Sequence, residues 1–326
     1  MAISSEWTLI SRIREIIEKQ GTDVPAEIIC GIGDDCSVFS IDDKKFGLIT
    51  TDISIENTHF KRDLSPPENI GYKAMVSNIS DISAMGGNAR YAFISIGIPA
   101  STDENYILSI YKGMINAANA ANIYLAGGDT SRSDNLIINI AIYGEIEKNR
   151  LIKRSGALPG HNIYLTGSTG ESMAGLEVLQ TGGKNSEKYA KLVNRHSCPP
   201  IRYDIVSSII EKYSPTSMID ISDGLLSDLY HICECSKTGF IIISEALPIS
   251  GDLKNFSLNF NKDYFYYALE SGEEYELLFT SPMDYNSEFD GVPVTKIGKI
   301  TEPGYFIQSG DTKKEIKIKG FDHFRS

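Results

Sequence analysis

Seven aspartates in this chain sit where chemistry could use them. They are Asp34, Asp35, Asp52, Asp81, Asp129, Asp220 and Asp223. Each adjoins an apolar stretch, and most follow a glycine or a small hydroxyl residue. The first stretch reads Gly31-Ile32-Gly33-Asp34-Asp35, then a short β-branched run ending in Thr50-Thr51-Asp52, then His59-Phe60. Glycines let the backbone turn sharply just before paired carboxylates. Later, Gly127-Gly128-Asp129-Thr130 and Asp220-Ile221-Ser222-Asp223-Gly224 repeat the arrangement. Carboxylates and hydroxyls at strand ends suit a hard divalent cation, which takes oxygen ligands and is shared with substrate phosphates. If the set converges, it needs cations, because like charges a few ångströms apart raise one another's pKa. Phosphoryl transfer uses such a cluster to neutralise charge on the transferring group. The competing reading is a series of independent polar turns, each capped by its own aspartate.

The elements that would hold these residues can be read from periodicity. Residues 4–20 form an amphipathic helix, with Leu9, Ile10, Ile13, Ile16 and Ile17 on one face. Phe46–Thr51 reads as a buried strand that delivers Asp52 at its carboxyl end. Pro66-Pro67 opens a helix to about Met85, closed by Gly86-Gly87, with Asp81 beside its apolar stripe. Tyr91–Ile98 is a strand, and Asp103–Ala121 a helix capped by Ser101 or Thr102. A short strand, Ile123–Ala126, then leads to the Gly127-Gly128-Asp129 turn. Leu136–Tyr143 follows as an edge strand. The basic turn Lys148-Asn149-Arg150 divides the chain into domains 1–150 and 151–326.

In the second half, Asn162–Thr166 is a strand, and residues 181–190 are a mobile polar connection. Ile201–Lys212 is a helix, Ser217–Ile219 a strand, and Leu225–Cys235 the helix leaving the Asp220 corner. The glycine-rich turn Gly167-Ser168-Thr169-Gly170 lacks the Lys-Ser/Thr pair of a P-loop, and a Rossmann fingerprint is absent.

Composition narrows the partners. The 326 residues are 41% hydrophobic and 23% charged, ordinary values for a globular protein with a sizeable core. The formal net charge of −12 argues against a nucleic-acid partner, which needs a basic surface. No apolar run reaches membrane-spanning length, and the N-terminus lacks a secretory signal pattern. Five scattered cysteines fit reduced thiols in the cytoplasm.

The motifs, taken in order, resemble the thiamine-monophosphate kinase family. They are Gly31-Ile32-Gly33-Asp34-Asp35-Cys36, Thr50-Thr51-Asp52, His59-Phe60, Lys73-Ala74 with Asn78-Ile79-Ser80-Asp81-Ile82, and Gly127-Gly128-Asp129-Thr130. Arg154-Ser155-Gly156-Ala157, Asp220-Ile221-Ser222-Asp223-Gly224-Leu225 and Gly272-Glu273-Glu274-Tyr275-Glu276-Leu277 complete the set. The resemblance implies an α+β, two-domain fold of the aminoimidazole ribonucleotide synthetase type. Its N-terminal domains pair into a barrel-like homodimer, and its C-terminal domain is α/β. It also implies direct in-line transfer from ATP to thiamine monophosphate, with several Mg²⁺ ions. The implied metal ligands are Asp35, Thr50, Thr51, Asp52, Asp81, Asp129, Asp220 and Asp223, with Asp52, Asp129 and Asp220 central to catalysis. Tyr111, Gly128, Asp129, Arg154 and Ser222 match the ATP positions; His59, Glu273 and Phe321 match those for the thiamine moiety. Departures at Asn57, Glu274 and His161 remove no implied ligand. A selenophosphate synthetase-like enzyme would want a reactive N-terminal cysteine, absent here. A non-catalytic regulatory module could lose ligands, and none is lost.

Overall fold

The structure is a computed structural model that describes residues 6–19, 24–182 and 185–317. Its first half builds one sheet. The strands are β1 (Ile28–Cys30), β2 (Ser37–Ser40), β3 (Lys45–Ile55), β4 (Asn88–Ile98), β5 (Tyr124–Arg132) and β6 (Ile137–Glu147). Helices α1 (Glu6–Lys19), α2 (Pro67–Ala84) and α3 (Glu104–Ala120) accompany them. The sheet order is β1-β2-β3-β6-β4-β5, antiparallel throughout except for β4 with β5. β6 therefore lies in the middle, where sequence reasoning put an edge. Its strict alternation explains this, with Ile138, Ile140, Ile142 and Ile146 buried on one face. Those residues meet α2 and join Met75, Ile79, Ile82, Ile110 and Met114 in the first core.

Three local expectations change as well. Asp52 lies within β3 rather than at its end, because pairing with β6 continues to Ile55↔Ile137. Gly127-Gly128-Asp129-Thr130 belongs to β5 and pairs with β4, so it is an edge strand and not a turn. Asp103 caps α3, accepting from the Asn105 amide at 2.8 Å, where Ser101 or Thr102 had been expected. The Gly86 turn after α2 forms as anticipated, at φ +78°.

The second half builds an eight-stranded sheet. Its strands are β7 (Asn162–Thr166), β8 (Ser217–Asp220), β9 (Gly239–Ile243), β10 (Leu277–Ser281), β11 (Ser287–Phe289), β12 (Val292–Thr301), β13 (Tyr305–Ser309) and β14 (Thr312–Glu315). The order is β14-β13-β9-β12-β7-β10-β8, with β11 on β12. Six helices pack around it: α4 (Glu171–Gln180), α5 (Ala190–Ser197), α6 (Val206–Tyr213), α7 (Leu225–Ser236), α8 (Gly251–Phe260) and α9 (Tyr264–Glu270). α6 is shorter at its start than the Ile201–Lys212 expected. Of the connection expected at 181–190, residues 183–184 lie outside the described residues. β7, β8 and β10 are buried along their whole length, which makes this sheet the rigid support for everything at its end.

Candidate active site

Two faces meet at the site. From the first sheet, β3 presents Thr50 and Asp52 on the same side, as a period of two requires. α2 lies across that side and brings Ser77, Asn78, Ser80 and Asp81. Thr50 Oγ1 donates to Asp81 Oδ2, and Asn78 Oδ1 accepts from the Asp52 amide at 3.1 Å. From the second half, β8 ends in Asp220, whose Oδ2 accepts from Ser80 Oγ at 2.6 Å. The 31–36 loop supplies Asp35, and Gly33 at φ +124° makes its turn possible.

The result is a knot of carboxylates. Oxygens of Asp35, Asp81 and Asp220 all lie within 4.8 Å of one another. Asp35 is held by Arg154, whose Nη2 and Nε donate to Oδ1 at 2.6 and 3.2 Å. Its Oδ2 is buried with no hydrogen-bond partner among the described residues. Burial, and then the Asp35 charge, push Asp220 up to about 8. Burial and the neighbouring Asp52 and Asp220 raise Asp81 well above the ordinary carboxylate range. Asp34 rises to about 6 through burial and Asp35. Three converging carboxylates with an undonated buried oxygen fit a hard divalent cation, which would relieve both the mutual repulsion and the missing donor.

A residue that sequence reasoning missed shapes the Asp220 corner. Asp228, in the first turn of α7, is buried and accepts at Oδ2 from the amides of Ser222, Asp223 and Gly224, at 3.1, 3.2 and 3.1 Å. One carboxylate thus holds the backbone that carries Ser222 and Asp223. The signal was an aspartate one turn beyond Asp-Gly at a helix start, the place where side chains reach back to free amides.

The 272–276 segment forms a second wall. Glu273 and Tyr275 both take positive φ, +56° and +51°, which non-glycine residues seldom do. Buried ionic ties fix this backbone. Glu276 accepts from Arg202 at 2.6 Å twice, from Thr166 at 2.6 Å, and from Arg195. Glu274 accepts from the Gly170 and Ser172 amides at 2.8 and 3.0 Å and from Ser271 Oγ at 2.7 Å. Glu273 is then turned toward α2, with Oε2 2.6 Å from Lys73 Nζ and 3.7 Å from His196 Nδ1. His59 shares this electrostatic neighbourhood while its Nδ1 accepts from the Ile55 amide at 3.0 Å. Burial, followed by the Lys73 charge, lowers His196 to about 4. Lys73 stood in one of the sequence motifs with no role assigned to it, and His196 had none. Tyr275 is buried between Glu273 and the aspartates, and burial with those charges raises its phenol far above its usual range.

The remaining expected residues fall in three places. Tyr111, Gly128 and Asp129 line a separate cavity of about 420 Å³ with Ile94, Leu125, Gly127 and Thr130. In register, Asp52 is opposite Ile140, Ile140 opposite Ile94, and Ile94 opposite Gly128. Three strand spacings, or roughly 14 Å, separate this edge from Asp52. Thr51 points to the opposite face of the sheet from Thr50, where Asn139 Nδ2 donates to its Oγ1 at 3.1 Å. Asp223 and Ser222 sit on the corner held by Asp228. Phe321 lies outside the described residues.

The fold and sequence place the chain in a defined class. The family model for the N-terminal domain of AIR synthase related protein matches residues 33–146. The thiamine-monophosphate kinase of Aquifex aeolicus is 37% identical over 321 residues, 98% of each chain. That of Bacillus subtilis is 34% identical over 311 residues, 90% of this chain and 93% of its own. A solved structure of AaThiL complexed with AMPPCP and TMP superposes with a TM-score of 0.87 at 33% identity, covering 99% of both chains. The chain has the two-domain AIR synthase-like fold. It belongs to the thiamine-monophosphate kinase family.

Proposed function

We propose that this protein transfers the γ-phosphoryl group of ATP to thiamine monophosphate, giving thiamine diphosphate by direct in-line attack with Mg²⁺ present. The observation that carries the reading is the Asp35–Asp81–Asp220 cluster with its undonated buried oxygen. It is supported by a relative bound to AMPPCP and TMP that matches this chain along its length. Asp35, Asp81 and Asp220 would hold Mg²⁺, with Thr50, Asp52 and Asp223 beside them and Asp129 toward the nucleotide. Bound there, the metal would supply positive charge against the transferring phosphoryl group. The chain's own residues do the rest. Tyr111, Gly128 and Asp129 would take the nucleotide at the cavity they border, Arg154 aims Asp35 through its two hydrogen bonds, and Ser222 offers a hydroxyl at the Asp220 corner. Thr51, on the far face of β3, contributes through its position in the strand. Glu273 and His59, with Phe321, take the acceptor's thiamine end.

The same reading assigns residues 1–150 to metal and nucleotide binding and dimerisation, with 151–326 as the C-terminal domain. No described helix is long and apolar enough to cross a membrane. All five cysteines are free, which suits a reducing cytoplasm. The test is an ATP and Mg²⁺ assay with thiamine monophosphate as acceptor, with thiamine and aminoimidazole precursors as controls. Turnover with thiamine monophosphate alone is expected. Turnover with a control, and none with thiamine monophosphate, overturns the assignment.

A further inference from the structure

Lys73 is a charged side chain on the wall of the site that the proposed chemistry leaves unused. It projects from α2, and its ammonium is only 2.6 Å from Glu273, a residue 200 positions later in the chain. Both side chains are largely shielded, at 14% and 33% exposure. Burial raises the Glu273 carboxyl, but the Lys73 charge and hydrogen bond together with His196 and His59 more than offset it, so the carboxyl stays below its usual range. The pair faces His196, His59 and Tyr275. On α2, Lys73, Ser77 and Asp81 follow at four-residue steps, so they share one face. Lys73 thus stands about 12 Å along the helix axis from Asp81.

The acceptor is itself a zwitterion, with a thiazolium cation at its centre and a phosphate at one end. We propose that Lys73 and Glu273 form a preset ion pair that this zwitterion replaces. The cation takes over Glu273, and the released Lys73 ammonium takes the acceptor phosphate on the α2 face that leads to Asp81. Each shielded charge then keeps a partner in both states, which avoids the cost of leaving a partly buried ion unpaired. A ligand with the cation but no phosphate must break the pair and leave Lys73 uncompensated. Lys73 thereby becomes a specificity-determining residue, favouring the monophosphate over free thiamine.

This inference rests on thiamine monophosphate being the acceptor, and one experiment separates the two. Wild type, Lys73→Gln and Lys73→Met are titrated calorimetrically with thiamine monophosphate and with thiamine, in Mg²⁺ and a non-hydrolysable ATP analogue. The neutral variants are expected to bind thiamine monophosphate at least about tenfold more weakly, for loss of a charge-assisted contact, and thiamine severalfold more tightly. Lys73→Arg keeps the charge and is expected to retain the wild-type preference. A merely structural lysine predicts parallel losses for both ligands, and that result overturns the exchange. So does unchanged thiamine monophosphate affinity in both neutral variants. Wild type that binds no thiamine monophosphate overturns the acceptor assignment, and the exchange with it. Nucleotide-analogue affinity, measured in the same series, is expected to stay at the wild-type level and reports that each variant is folded.

Discussion

A carboxylate oxygen that is buried without a donor is costly, and Asp35 Oδ2 is such an atom. Asp220 and Asp34 beside it are raised to about 8 and about 6, chiefly by burial. These shifts have a definite sign in stability. Between the ordinary value of 3.8 and about 8, folded Asp220 binds a proton that the unfolded chain has released. Stability therefore falls as pH rises through that window. Differential scanning calorimetry of the EDTA-treated protein should show its melting temperature dropping from about pH 5 to about pH 8. Added Mg²⁺ should restore stability most at the alkaline end, where the ligands are deprotonated. A melting temperature flat in pH and indifferent to Mg²⁺ would contradict a metal site here. Asp52→Asn removes a carboxylate from the same face. Its kcat is expected to fall by several orders of magnitude, and retention of more than about a tenth of wild-type activity would exclude a shared-ligand role. Asp228 acts at one remove, through the three amides it accepts. Asp228→Asn keeps the shape but puts a donating amide beside amides that need an acceptor, so kcat should fall about 10- to 100-fold while the KM for thiamine monophosphate changes little. A rise in that KM with kcat intact would place Asp228 on the acceptor side instead.

At the scale of elements, close approach explains what sequence could and could not reveal. α2 and α3 pack so tightly that a Cβ on Gly113 would lie 1.8 Å from Glu68 O, and one on Gly71 1.9 Å from Ile110 O. Gly113→Ala should therefore force the helices apart and cost about 2–3 kcal/mol, as overpacking does, lowering the urea midpoint without a change in slope. An unchanged midpoint would mean that the helices have room to move. The extent of α2, its Gly86 turn and the Asp220 corner were legible, because Pro, Gly and apolar spacing mark them locally. The central place of β6 was not, since an alternating strand looks the same at an edge or in the middle until its neighbours are known. Nor was the continuation of β5 through Gly127-Gly128, because glycines usually signal a turn and only pairing with β4 overrides that. Every cluster aspartate was nameable in advance. Lys73 stood in a motif without a role, and the roles of Lys73 and His196 stayed hidden because their shared partner, Glu273, arrives from a distant segment. Asp228 had a local signal, an aspartate four residues after Gly224, that went unread.

For the molecule as a whole, the first sheet has one face covered and one left bare among the described residues. α2 and α3 lie over the face that carries Thr50, Asp52 and the buried isoleucines of β6. The other face carries Ile49, Tyr143, Tyr91 and Tyr124 in one row across β3, β6, β4 and β5. Tyr91 and Tyr143 stack there with centroids 6.0 Å apart. Phe93 and Ile53 extend the patch and are 45% and 48% exposed. Contiguous aromatic and branched residues of this kind mark an association surface, and closed symmetry makes a two-fold pairing of identical faces the simplest way to cover it. Sedimentation equilibrium should therefore find a homodimer at micromolar concentration. Phe93→Asp places a charge at the centre of the patch and should give a monomer that keeps the fold, because that side chain contributes little to the core. The cavity at Tyr111, Gly128 and Asp129 lies along β5, the edge strand that Tyr124 and this patch share. The monomeric variant should for that reason also bind the ATP analogue less tightly, while affinity at the distant Lys73–Glu273 pair changes little. A wild type that sediments as a monomer with full activity would refute the pairing, and a monomeric Phe93→Asp with unaltered nucleotide affinity would show that the edge works without its partner.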